Sequence, residues 1–179
     1  LTEILSGLKE AGIPVIAGTL VSNLLDQPPF YPELSGAGEA YKKGKELFAA
    51  GKFDEAYDQL QKAKDLDELR FRAPSEFNML IRKVSGEQGA LVVAIDSSFA
   101  AASKGSVVGN DLMTDHLHPN LRGYSLMADV FLTGINANGM IKESPAIPIG
   151  SAQLDSLTTL HFPFSRLDSA IAFYRLAGI

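Results

Sequence analysis

Short apolar runs alternate with amphipathic segments along most of the chain. Residues 13–20 and 90–95 are each almost wholly apolar, which is the pattern of strands covered on both faces of a parallel sheet. Residues 75–85 and 120–135 instead place apolar side chains at three- and four-residue intervals, which is typical of helices. This alternation predicts an α/β fold in which a parallel sheet lies between layers of helices.

Residues 37–70 have a different pattern, that of two helices joined by a short turn. Gly44, Ala56 and Ala63 are small, which lets two antiparallel helices approach closely, and Gly51-Lys52-Phe53 forms the predicted turn. The segment resembles a single tetratricopeptide unit, and such units need about three copies to form a solenoid. We therefore expect a helical hairpin inserted into a host domain, with peptide binding as the alternative role.

These elements predict four parts of the chain. The host domain takes residues 1–36 and 71–141, the hairpin takes 37–70, and a C-terminal extension takes 142–179. Within the host domain, residues 99–110 are predicted to form a long loop. The apolar side chains on one face of the helix at 75–85 are predicted to be buried; they are Phe77, Leu80, Ile81 and Val84.

Composition changes this picture by exclusion. The 179 residues carry a net charge of −5 without a basic stripe, so nucleic acid is not an expected partner. No apolar run approaches the 18 residues that a membrane-spanning helix needs. The absence of cysteine excludes disulfides and thiolate catalysis, and it leaves the cellular location open. The chain begins at Leu1 within a predicted helix, so we expect it to be a fragment of a longer protein.

The chemistry-bearing stretch is Asp115-His116-Leu117-His118-Pro119-Asn120, just before the helix predicted at 120–135. An Asp three residues before a His suits a loop that enters a helix, and the Asp115 carboxylate can accept a hydrogen bond from Nδ1–H of His118. That bond would fix the tautomer of His118 and leave its Nε2 as a general base. Asp115 and His118 are therefore the candidate catalytic residues.

Two other interpretations of this stretch stay open. The loop is alternatively a solvated turn in which Asp115 caps the helix. Asp111, Asp115, His116 and His118 are also metal-ligand types, which would suit a metal-dependent hydrolase, although no other cluster completes a coordination shell.

Ser22 and Asn23 lie just past the C-terminal end of the first predicted strand. In α/β sheets this is the end where ligands bind, so both residues are candidates for substrate binding. The alternative is that they shape a turn.

The Asp115 to Pro119 block, followed by Gly123-Tyr124, resembles the last conserved block of the SGNH (GDSL-type) serine hydrolases. These esterases and lipases carry their catalytic Asp and His in a D-x-x-H-P motif. The segment from Gly18 to Asn23, the Pro28-Pro29-Phe30 loop and the helical hairpin are similar to a bacterial branch with a tetratricopeptide-like insertion. The likeness covers about residues 1–135.

The resemblance implies the C-terminal part of a three-layer, flavodoxin-like parallel-sheet hydrolase fold. It also implies that Asp115 orients His118, and that His118 deprotonates a serine that attacks an acyl ester, without a metal or an organic cofactor. The expected substrate is a small-molecule or carbohydrate acyl ester. The alternative to ester hydrolysis is that the chain is a non-catalytic interaction module that uses the helical hairpin.

The family's nucleophilic serine and its oxyanion residues belong to blocks upstream of the matching region, and this chain does not contain them. Ser97, Ser98 and Ser125 lack the G-D-S setting of that serine. We therefore expect the chain to carry half of a catalytic site and to be inactive by itself. The open edge of its sheet predicts a homo-oligomer or pairing with the N-terminal half.

Overall fold

The computed structural model describes residues 1–140, 151–161, 167–168, 170–171 and 174. It divides into two compact units, Leu1–Ser144 and Pro145–Ile179. The extension predicted at 142–179 lies largely outside the described residues. Its described part contains one longer helix, at Ser151–His161, which we label α7 below.

The first unit contains these elements in chain order: α1 (Thr2–Glu10), β1 (Ile16–Gly18), α2 (Ala37–Ala49), α3 (Phe53–Leu66), α4 (Ser75–Gln88), β2 (Leu91–Val93), α5 (Ile95–Ala102), a 3₁₀ turn (Lys104–Ser106) and α6 (Leu121–Ala137). The strands β1 and β2 pair in parallel, with Ile16 opposite Leu91 and Gly18 opposite Val93. Within the described residues the sheet has these two strands.

The predicted three-layer, flavodoxin-like α/β fold is therefore wrong. The described chain is mostly helical, and each predicted strand contributes three paired residues. The apolar run at 90–95 is interrupted because Ile95 begins α5, where it is fully buried. A short apolar run has the same hydrophobic pattern in a strand and in a packed helix end, so the sequence could not separate the two.

Helix α6 packs closely on the small sheet because glycines stand at the contact. A Cβ atom on Gly18 would lie 2.9 Å from the Phe131 ring, and one on Gly134 would lie 2.6 Å from Val93. The adjoining core, which includes Ile95 and Phe99, also contains side chains that follow α5. The segment predicted as a loop at 99–110 thus begins inside α5 and supplies core residues.

Helix α4 has the predicted position but not the predicted burial. Phe77 and Leu80 are 51% and 53% exposed, and Ile81 and Val84 are partly buried. The helix contacts both strands and α1. The two short strands and α1 do not cover the whole apolar stripe of α4, which leaves Phe77 and Leu80 exposed.

Helices α2 and α3 pack closely against each other as a hairpin. Gly44 of α2 meets Leu60 of α3, and Ala56 and Ala63 are buried, as expected from their size. A second core joins the hairpin to the rest of the unit through Leu24, Leu60 and Val107. The hairpin is therefore stabilised by packing against the rest of the first unit, as we expect for a single pair of helices.

The substitution Gly44→Ala should lower the free energy of unfolding by about 1–3 kcal/mol, the usual cost of overpacking. The new Cβ would lie 2.6 Å from Cγ of Leu60, and 3.2 Å from the Leu60 backbone nitrogen. Denaturant unfolding of the two proteins measures the difference.

Gly86→Ala is the matched control, because it also replaces a helical glycine but nothing lies within 4 Å of the added atom. It should raise the free energy of unfolding by about 0.5–1 kcal/mol, since alanine favours helix over glycine. Equal effects of the two substitutions would contradict the close packing at Gly44.

Candidate functional site

The predicted catalytic residues lie in a tight chain reversal that precedes α6. Met113 and Pro119 form an antiparallel bridge at its base. Inside it the Thr114 amide donates to the His118 carbonyl at 2.8 Å. Asn120 then caps α6 by accepting a hydrogen bond from the Gly123 amide at 3.0 Å. Pro119 thus stands in the bridge before the helix, and the chain enters α6 through Asn120.

The Asp115 carboxylate binds His118 and fixes the turn at the same time. Its Oδ2 lies 2.8 Å from Nδ1 of His118, so the two residues are within hydrogen-bond reach, as the spacing predicted. Its Oδ1 accepts hydrogen bonds from the amides of Leu117 and His118, both at 2.8 Å. Each carboxylate oxygen has a separate task, so the carboxylate cannot rotate without losing bonds.

The electrostatics of Asp115 favour its charged form. Partial burial tends to raise the pKa of this carboxyl, but the hydrogen bonds from the amides of His118 and Leu117 and from the His118 ring hold the pKa below its usual value. Asp115 therefore stays a carboxylate at neutral pH and accepts a hydrogen bond from Nδ1–H of His118. In the tautomer with the proton on Nδ1, Nε2 carries the lone pair that a general base needs.

His118 is open to solvent. Its side chain is 66% exposed and that of Asp115 is 46% exposed. Nε2 makes no hydrogen bond with any other residue that the structure describes. The pair thus presents a free proton acceptor at the surface.

His116 faces an aromatic cluster instead. Its ring stacks on Phe30 with 4.4 Å between ring centres, and it meets the edge of Phe71 at 6.1 Å. Burial and the nearby Arg72 cation lower the pKa of His116, although the hydrogen bond to the Pro28 carbonyl raises it in part. His116 is therefore a neutral packing residue at neutral pH.

A buried ion pair holds the loop that carries Phe30. Arg72 is 3% exposed, and it donates to the carbonyls of Asn23 and Gln27 at 3.0 and 2.9 Å. Asp67, 3.6 Å from Arg72, accepts a hydrogen bond from the Phe30 amide at 2.9 Å. The segment after the hairpin thereby fixes the loop at 23–30. Sequence reasoning missed this arrangement because the loop residues that the pair binds lie 37 to 49 positions earlier in the chain.

The two candidate substrate-binding residues occupy different places. Asn23 is fully buried, where its side chain donates to Asn110 and accepts from the Asp26 amide. The backbone amide of Asn23 also donates to the His116 carbonyl at 3.1 Å, which ties the loop to the turn at 113–119. Ser22 lines a cavity at the end of β1. Substrate binding by Ser22 stays a prediction, whereas the side-chain amide of Asn23 is engaged in holding loops together.

The metal interpretation lacks a ligand set in the described part of the chain. No three His, Asp or Glu side chains there lie close enough together to hold a metal ion. Asp111 accepts a hydrogen bond from the Gly109 amide, and His116 is stacked on Phe30. Asp115 and His118 thus remain as a pair.

A second polar cluster was missed by the sequence reasoning. Asp96 accepts hydrogen bonds from Arg82 and from the Thr19 hydroxyl, each at 2.7 Å, and from Asn78 at 3.2 Å. Partial burial tends to raise the pKa of Asp96, but these bonds hold it below its usual value. Thr19 and Asp96 follow the two parallel strands, so their places at strand ends were the signal that they converge.

No protein-family model matches this chain, and no curated protein shows significant sequence similarity to it. The predicted membership of the SGNH hydrolase family, in the branch with a tetratricopeptide-like insertion, is therefore wrong. The family fold requires a larger parallel sheet than the two short strands found here.

Within the described residues, no helix is long and apolar enough to cross a membrane.

The free energy of unfolding should fall as the pH is lowered from 7 to 5. The folded state holds the pKa of His116 below about 6.5, the value expected in the unfolded chain. Below about pH 6.5 the unfolded chain binds more protons than the folded protein does. The contribution of His116 to stability is therefore complete above about pH 6.5, and it is lost as the pH falls through the folded-state pKa of His116. Denaturant unfolding across this range measures the decline.

The variant His116→Phe should show a weaker decline over the same range, because a phenyl ring keeps the contact with Phe30 and does not titrate. The matched control is His161→Phe, in α7 of the second unit, which should keep the decline. A decline that is unchanged in His116→Phe would contradict the assignment.

Proposed function

We propose that Asp115 and His118 are the general-base part of an ester-hydrolysing site. In this mechanism Nε2 of His118 takes the proton from a serine hydroxyl while that oxygen attacks the acyl carbonyl. His118 then gives the proton to the departing alcohol, and Asp115 stabilises the intervening imidazolium. Water hydrolyses the acyl-enzyme by the same route. The substrate class is a small-molecule or carbohydrate acyl ester.

The observation that supports the proposal is the 2.8 Å contact between Asp115 and Nδ1 of His118. A carboxylate used only to cap the turn would be satisfied by the two backbone amides on Oδ1. Here Oδ2 is also used, and it binds the ring nitrogen that must be protonated if Nε2 is to act as a base. The accessible Nε2 then faces solvent, where a nucleophile and a substrate can reach it.

The proposal assigns the nucleophile to a serine outside the described residues, because no described serine is hydrogen-bonded to His118. The donors that stabilise the oxyanion are assigned to the same outside segment, since acyl transfer needs nucleophile, base and oxyanion donors together. The mechanism itself needs no metal and no organic cofactor.

The alternative function, partner recruitment by the hairpin, has weaker support. No large apolar side chain of α2 or α3 is exposed, so these two helices offer no apolar docking surface. Ester turnover that depends on His118 distinguishes the two functions.

In the full-length natural protein, His118→Ala should lower kcat for a short-chain ester by about 10⁴-fold or more, as loss of a triad base does. Asp115→Asn should have a similar effect. Its amide oxygen can still accept the backbone bonds of the turn, but its NH₂ group would favour the wrong tautomer of His118. Hydrolysis is followed with an aryl ester and with an unactivated alkyl ester.

His161→Ala is the matched control and should leave kcat unchanged, because this exposed histidine has no role in the proposal. The alkyl ester guards against slow reaction of an activated ester with any surface imidazole. Near-normal turnover of the alkyl ester by His118→Ala would refute the proposal, as would the absence of turnover in the wild-type protein.

A further inference from the structure

A cavity of about 160 Å³ lies beyond the C-terminal ends of β1 and β2, where α3 and α4 also meet. In open parallel sheets the crevice outside these strand ends is the usual place for a ligand. Part of its lining is apolar and includes Leu24, Ala100 and Val108. The rest is polar, and the hydrogen bonds of these polar groups determine which ligand would fit.

The charged groups of this cavity are already paired. Lys64, which is buried, donates to the Ala73 carbonyl and the Ser75 hydroxyl and lies 3.3 Å from the Asp65 carboxylate. Arg82 binds both oxygens of Asp96 at 2.7 Å. Each cation thus has a carboxylate partner, and a charged ligand would find no unpaired opposite charge here.

Several uncharged groups, in contrast, have unused hydrogen-bonding capacity. The hydroxyls of Ser22 and Ser106 make no hydrogen bond with a described residue. Tyr57 accepts a hydrogen bond from Gln61, and its own O–H has no acceptor among the described residues. The other terminal atom of the Gln61 amide is buried without a partner. Turning that amide over would satisfy Tyr57 but would leave the buried amide NH₂ unpaired instead.

We propose that this cavity binds a small neutral polyol or the polyhydroxylated part of a sugar. Hydroxyl groups both donate and accept, so they suit the free capacity of the Ser22, Ser106 and Tyr57 hydroxyls. The C–H faces of such a ligand suit the apolar wall. The inference is independent of the ester-hydrolysis proposal and requires no catalysis by His118.

Size limits the ligand further. A dry cavity of about 150 Å³ accommodates a molecule of six heavy atoms such as benzene, so glycerol or a tetritol is the appropriate size for this one. A second cavity of about 290 Å³ shares Tyr57, Asp96, Ala100 and Ser106 with the first. Asp54 and Asp58 line that second cavity, which disfavours anionic ligands over the whole cleft.

Titration of the ¹⁵N-labelled protein with glycerol, erythritol and xylitol tests the proposal. Backbone amide shifts are the readout, because polyols at high concentration stabilise most proteins through exclusion from the surface and would move a melting temperature without a site. Saturable shifts should cluster at residues 20–24, 57–61 and 96–106, with dissociation constants in the millimolar range.

Ser22→Ala and Tyr57→Phe should each weaken erythritol binding by about 5–10-fold, the loss of roughly one hydrogen bond. Ser125→Ala, on α6 and outside the cavity, is the matched control and should bind as the wild-type protein does. Each variant's amide spectrum checks its fold before titration.

Glycerate, which carries one negative charge, tests the neutral character of the site. It should bind at least fivefold more weakly than glycerol. Tighter binding of glycerate would overturn the assignment to a neutral ligand. Shifts that stay linear up to 200 mM in all three polyols, or equal affinities in Ser22→Ala, Tyr57→Phe and wild type, would show that water alone fills the cavity.

Discussion

The buried contacts of Arg72 hold the loop that adjoins the candidate site. Burial lowers the pKa of the Arg72 guanidinium, and the Asp67 carboxylate opposes this shift only in part. Because the pair is 3.6 Å apart, the carbonyls of Asn23 and Gln27 supply the shorter contacts. Removing one partner of a buried ion pair leaves an uncompensated charge and typically costs several kcal/mol. Arg72 therefore holds both ends of the segment from Asn23 to Gln27, while Lys45 binds the Leu25 carbonyl and Asp26 between them. The turn at 113–119 is joined to this loop through Asn23.

Local patterns predicted the local structure well. The contact between Asp115 and His118 was predictable because both lie in one turn, and the small residues of the hairpin marked a helix contact because Gly44 must face Leu60. The environment of Asn23 was not predictable, since its partners at Asn110 and His116 lie about ninety positions away. Asn110 and His116 do not stand at strand ends, so the signal that marked Thr19 and Asp96 was absent here.

The incorrect fold assignment arose from the turn that contains Asp115 and His118. The spacing of Asp115 and His118 is satisfied by a carboxylate that accepts the amides of Leu117 and His118, and Asp commonly forms such turns in loops of unrelated folds. The motif reports the turn and not the sheet around it. The predicted burial of Phe77 and Leu80 was wrong for a related reason. Periodicity identifies the apolar face of a helix, but it does not show whether another element packs on that face.

The loop from Asp115 to His118 is so short that the geometry of this pair is set locally. Closing so few residues costs little chain entropy, and the bridge between Met113 and Pro119 lies directly beneath the pair. The histidine is thus oriented by its own neighbours, with little help from the sheet or the hairpin. Tertiary structure must instead determine where this imidazole points and which groups it meets, so the surroundings of Nε2 are set by distant parts of the fold.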